Sequence, residues 1–159
     1  MKEIIGYKAF NEGLINRYGV KFEQGLTYSI PGTARFGNDG NGFHLCTYLE
    51  DTLRYFDALE ENIDICRVLG SGDMHVYNDD YYGYYDMYAV SQLKILHLLS
   101  KEEILAETNK MWFERLKRFI MGYRISQSEL ENILANNCSD YQKEELKKIY
   151  KYYQNKSNF

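Results

Sequence analysis

Residues 36–56 read FGNDGNGFHLCTYLEDTLRYF, and the whole architecture hangs on how they divide. Gly37, Gly40 and Gly42 mark a loop, because glycine reaches backbone conformations closed to other residues. The short apolar run GFHLC, Gly42 to Cys46, then reads as a strand. Thr47 and Glu50 follow at capping-box spacing, each side chain able to satisfy a backbone N–H at a helix start. Leu49, Leu53 and Phe56 share one face of the helix so begun.

Upstream, Ile4 to Phe10 and Leu26 to Ile30 read as strands, with turns at Gly13, Gly19 and Gly25. The loop PGTARFGNDGNG holds the single proline and four of the twelve glycines, so it should cross the surface or border a pocket. Downstream, a strand runs from Ile63 to Leu69 and ends at Gly70. The segment GSGDMHVYNDDYYGYYD reads as a loop or hairpin region, with a turn around Gly83. A long strand starts at Met87. It sets Ala89, Ser91, Leu93, Ile95 and His97 on one face and Tyr88, Val90, Gln92, Lys94 and Leu96 on the other. Neither face is wholly apolar, so part of it should be buried on both sides.

After Ser100 the period becomes helical. Ser100 with Glu103 and Ser126 with Glu129 have capping-box spacing. Trp112, Leu116, Phe119, Ile120 and Tyr123 keep helical spacing, as do Leu130, Ile133 and Leu134, then Leu146, Ile149, Tyr150 and Tyr153. Residues 101–155 thus read as about three helices. The chain is an α+β protein: a β-rich core over 1–100 and a helical C-terminal extension over 101–159 packed on it.

The 159 residues suffice for one domain with a core, and the formal net charge of −4 makes nucleic acid an improbable partner. No run of about 18 apolar residues is present, so no membrane span is expected. The N-terminal MKEIIGYKAFNEG lacks the apolar centre of a signal peptide, which makes the cytoplasm the expected location. Three cysteines, at 46, 66 and 138, are too few and too scattered for a disulfide framework.

His44 and Cys46 lie two apart on a strand and share a face. Two ligands do not make a zinc site, and Cys66 and His75 join them only through tertiary structure, so no metal is expected. A buried cysteine and a histidine packed in the sheet is the plainer reading. Lys8, Tyr28, Ser29 and Arg35, on or beside the strands and the glycine loop, are candidates for holding a phosphate or ribose; the alternative is solvated cations and a half-buried ring. YNDDYYGYYDMY lacks the ligand spacing of a calcium loop, and its tyrosines suit a protein-binding face. FERLKRFIMGYR carries four cations but sits among Glu102, Glu103, Glu107 and Glu114, so it reads as a solvated amphipathic helix.

The segments, in order, resemble an uncharacterised bacterial and phage domain family. Its members open with Tyr-Lys-x-Phe, here YKAF, continue with Gly-Phe-His-x-Cys, here GFHLC, and close with Leu-Ser-x-Glu-Glu, here LLSKEEIL. The likeness covers roughly residues 5–107. A more distant resemblance, over roughly 5–99, is to the ADP-ribosyltransferase fold of poly(ADP-ribose) polymerases. FGNDGNGFHLCTYLEDTLRYF, IDICRVLGSGDM and YDMYAVSQLKIL follow that fold's order of glycine loop, motif strand, helix and later strands.

This second resemblance implies a mostly antiparallel, partly split and twisted sheet, with NAD as the ligand and cofactor. It puts Lys8 or Tyr7 where the family keeps a ribose-holding histidine, His44 where it keeps a nicotinamide-stacking tyrosine, and Gln92 where it keeps a catalytic glutamate. Gln92 carries no charge to stabilise the cation formed as nicotinamide leaves. The resemblance therefore implies a nucleotide-binding or interaction module, its cleft lined by Lys8, Tyr28 and His44, without efficient transferase chemistry. The alternative is an NAD-cleaving ADP-ribosyltransferase that takes its charge from Asp86 or Glu50. A further alternative is a phage-associated accessory protein that meets a protein partner through its tyrosines.

Overall fold

The computed structural model describes residues 2–35, 41–78, 86–136 and 138–154. Five strands form one antiparallel sheet: β1 (Ile4–Asn11), β2 (Thr27–Ser29), β3 (Phe43–Cys46), β4 (Ile63–Asn78) and β5 (Asp86–Leu98). A 3₁₀ helix, Leu49–Tyr55, follows β3. Helices α1 (Lys101–Glu107), α2 (Phe113–Gly122), α3 (Gln127–Leu134) and α4 (Asp140–Gln154) follow β5. The α+β reading holds.

The sheet curls on itself. Its order is β2-β5-β3-β1-β4, and β4 also pairs with β5, so β1, β4, β5 and β3 close a ring. Eight residues of β1 pair with β4, from Ile4↔Gly70 to Asn11↔Ile63. Between β1 and β3 the register consists of one pair, Tyr7↔Cys46. Glycine permits this contact: a Cβ on Gly6 would meet the Cys46 carbonyl oxygen at 2.5 Å and Leu45 Cδ1 at 2.7 Å.

Side chains alternate between the ring's two faces, as strand geometry requires. Phe10, Leu45, Cys66, Val68, Val90, Leu93 and Ile95 pack in one cluster with Leu14 and Phe22, which departs from the faces expected for β5, where alternation sets Val90 opposite Leu93 and Ile95. Ala9 and Ile65 turn the other way, into a core shared with Leu49, Leu53 and the helical residues Leu116, Phe119, Ile120, Leu130, Ile133 and Leu146. Burial on both faces of β5, expected from its mixed pattern, is realised by Ala89 and Val90, both fully buried.

Two local expectations are corrected. First, β4 does not stop at Gly70 but runs on through GSGDMHVY to Asn78. Gly72, at φ +79°, absorbs a register shift between Ser71 and Met74 against β5. There the Asp73 N–H donates to Ser91 Oγ at 2.8 Å, so the break becomes a bulge and not a loop. The turn expected around Gly83 lies outside the described residues. Second, Thr47 and Glu50 do not form a capping box. The helix starts two residues later, after an extended Tyr48 that makes no side-chain cap. Thr47 Oγ1 is buried without a hydrogen bond, and Glu50 turns to Arg115 instead.

The caps at Ser100 and Ser126 form as read. A further reciprocal pair, Ser139 with Gln142, starts α4. Among the described residues, no helix is long and apolar enough to cross a membrane.

Candidate functional site

Past the Tyr7–Cys46 pair, β1 and β3 part, and a cleft of about 590 Å³ opens between them. The Lys8 ammonium reaches across the gap and donates to the His44 carbonyl oxygen at 2.8 Å. It also lies 5.7 Å from the centroid of the Phe10 ring. Lys8, His44, Tyr7 and Cys46 all line the cleft.

The segment after β1 forms the cleft's outer wall. Asp64 on β4 accepts the N–H groups of Gly13 at 2.8 Å and Leu14 at 3.0 Å, which holds Leu14 at φ +59°. Asn16 Oδ1 accepts from the Tyr18 and Val20 N–H groups, at 3.0 and 2.9 Å, and so shapes the next turn. That turn presents Arg17 and Tyr18 to the cleft, with the guanidinium 5.5 Å from the Tyr18 ring centroid. Phe22 and Phe43 line its inner end, and Tyr55 and Phe56, where the 3₁₀ helix ends, its other side.

Burial decides the protonation states. It pushes the Lys8 amine down to about 8, and the Arg17 charge adds to the effect against an opposing contribution from Cys46. Burial, then the Lys8 and Arg17 cations, push the His44 imidazole down to about 4, so the ring is neutral at pH 7. Burial pushes the Cys46 thiol up to about 12, which leaves it protonated and a poor nucleophile. Tyr7 is pushed up to about 12 by burial and by Glu107, whose Oε2 accepts its hydroxyl at 3.1 Å.

The fold thus brings Tyr7, Lys8 and His44 together and leaves the other sequence candidates outside the cleft lining. The Gln92 Oε1 accepts from Ser71 Oγ at 3.2 Å, and its backbone pairs with Ser29 and Ser71. Ser29 is exposed. The Tyr28 hydroxyl accepts the Glu23 N–H at 2.8 Å, while its ring packs on Phe22. Arg35 donates to the Ala34 carbonyl at 2.7 Å and lies 3.7 Å from Asp73. Glu50 is buried and held by Arg115. Among the described residues, no group of three or more His, Cys, Asp or Glu stands close enough to hold a metal.

Arg17, Tyr18 and Tyr55 were not singled out from sequence, and Phe56 only as part of the apolar face of the helix after β3. The one signal for the first pair is Asn-Arg-Tyr-Gly, a cation and a ring beside a turn glycine. Residues 4–107, from β1 through α1, match the model of a family described as a domain of unknown function (DUF7666). No curated protein and no solved structure matches the chain.

Proposed function

The chain belongs to the DUF7666 family, and we propose that its cleft between β1 and β3 binds an anionic aromatic ligand of the nucleotide class without efficient ADP-ribosyl transfer. The observation that carries this reading is the pairing of two cations, Lys8 and Arg17, with aromatic walls from Tyr18, Phe22, Tyr55 and Phe56. Lysine and arginine complement phosphate, and flat rings complement a base. His44, neutral at pH 7, adds a ring that stacks or hydrogen-bonds without adding charge.

The transfer step needs an anion beside the ribose as nicotinamide leaves. Gln92 is uncharged and bonded to Ser71, and the Glu50 oxygens are engaged by Arg115. No carboxylate lines the cleft among the described residues. These features favour binding over turnover, with NAD a ligand and not a consumed cofactor.

Calorimetric titration with ADP, ATP and NAD, run beside an assay for released nicotinamide, tests the proposal. Heat of binding that weakens about tenfold in Arg17→Ala, with no nicotinamide released, is the expected result. Absence of heat with all three nucleotides overturns the binding reading. Nicotinamide release that disappears in His44→Ala overturns the claim that the site does not turn over.

A further inference from the structure

We propose that Lys8 is a nucleophilic amine and that the cleft captures an aldehyde borne on an anionic ring, as an imine on Lys8 Nζ. This rests on the reading of the cleft as an anion-and-ring site, and adds a covalent step to it.

The placement of Lys8 carries the inference. It stands on β1 where the sheet parts, on the wall of a 590 Å³ cleft. Its one hydrogen bond among the described residues is to a neutral acceptor, the His44 carbonyl, and no carboxylate pairs with it there. Phe10 lies beside it, and Arg17 is a second cation within electrostatic reach. A lysine desolvated among apolar groups, and set near another cation, is one of the recognised ways to obtain a free amine at neutral pH. The groups facing it are Cys66 across β4, His44 and Cys46 on β3, and Arg17 from the turn. None of these is an anion at pH 7, since burial keeps both thiols protonated. With the amine at about 8, roughly a tenth of it is unprotonated at pH 7.

The step balances without any redox partner. The unprotonated Lys8 amine adds to the carbonyl carbon, so that the carbon–nitrogen bond forms as the carbonyl π bond breaks and one nitrogen proton passes to the oxygen. The carbon–oxygen bond of this carbinolamine then breaks, and the oxygen leaves as water with the second proton that the nitrogen gives up. Arg17, at the mouth, would hold the ligand's anionic group while the rings hold its plane.

Pyridoxal 5′-phosphate is the probe: an aromatic aldehyde that carries a phosphate. The intact protein is incubated with an equimolar amount at pH 7, reduced with borohydride, digested, and the labelled lysines quantified by mass spectrometry. Lys8 should carry about tenfold more label than the mean of the other lysines, and excess ADP should suppress label at Lys8 alone. Label spread evenly over the lysines, or absent from Lys8, overturns the proposal. If ADP binds by calorimetry while Lys8 stays unlabelled, the covalent step fails and the anion site stands. If ADP neither binds nor protects, the cleft reading fails with it. The wild-type protein carries the whole test, so no substitution need fold.

Discussion

Arg115 on α2 grips Glu50 of the 3₁₀ helix with both arms of its guanidinium. Nε donates to Oε1, and Nη2 to Oε2 at 3.1 Å. The carboxylate side chain is fully buried and that of the arginine 9% exposed. The guanidinium also lies over two rings, 4.4 Å from the centroid of Tyr48 and 5.0 Å from that of Trp112. Beside it, Arg118 donates to the neighbouring acid, Asp51. Two buried acids of the family-matched segment are thus paired with two arginines that lie beyond residue 107. The helices past α1 do more than cover apolar surface.

Removing one partner should therefore cost more than removing both. Arg115→Met leaves Glu50 buried without its main counter-charge, and should lower unfolding free energy by about 3–5 kcal/mol in urea at pH 8. Glu50→Leu together with Arg115→Met should recover most of that loss, since apolar groups need no hydration to be given up. A double variant no more stable than the single one would show that charge compensation is not what the pair supplies.

Lys8 makes stability depend on alkaline pH in a definite direction. Its folded value of about 8 lies below the ordinary 10.5, so across that window the unfolded chain holds the proton and the folded one does not. Stability from this group therefore rises with pH between about 8 and 10.5. Lys8→Met abolishes the dependence. The variant's stability relative to wild type should fall by about 2 kcal/mol between pH 7 and 9.5. Tyr7, Tyr55, Cys46 and Cys66, all pushed up to about 12 in the folded protein, stay protonated there up to pH 9.5 with or without Lys8 and cancel in the difference. A pH-independent difference would mean that the amine is hydrated.

His44 works in the opposite pH range. Its imidazole is held near 4 against an ordinary 6.5, first by burial and then by Lys8 and Arg17. The unfolded chain takes up a proton below about 6.5 and the folded chain only near 4, so stability is lost as pH falls through that window. In an NMR titration the His44 ring signals should stay at their neutral positions down to about pH 5. A midpoint near 6.5 would place the ring in water.

Gly6 is the contact on which the cleft depends. An alanine there would push its methyl into the Cys46 carbonyl and Leu45, at 2.5 and 2.7 Å. Gly6→Ala should cost about 1–3 kcal/mol through overpacking. It should also loosen the Tyr7–Cys46 pair, seen as faster hydrogen exchange at the amides of the two strands. An unchanged exchange pattern would show that the strands meet by some other route.

Much of the architecture was legible because it depends on near neighbours. The strand after Met87 and the pairs Ser100/Glu103 and Ser126/Glu129 are set by residues a few places apart, and each forms, though the expected faces of the strand do not hold throughout, because Val90 joins Leu93 and Ile95 in one core cluster. Thr47 and Glu50 have the same spacing and fail, because Arg115, 65 positions away, offers Glu50 a stronger partner in the core. GSGDMHVY looked like a loop because its glycines signal turns. Ser91, across the sheet, turned one of them into a bulge.

The site divides in the same way. Tyr7, Lys8 and His44 are named because the resemblance to the ADP-ribosyltransferase fold puts them at its ligand positions, and all three line the cleft. Arg17 and Tyr18 reach the cleft because Asp64 gathers the turn that carries them, and Tyr55 and Phe56 because a 3₁₀ helix ends beside β3. Gln92 and Ser29 bond along the sheet instead. Periodicity and caps act over one or two turns of chain, so the order of residues carries them. Which charge meets which depends on what loses its water together, and that exists only once distant segments have packed.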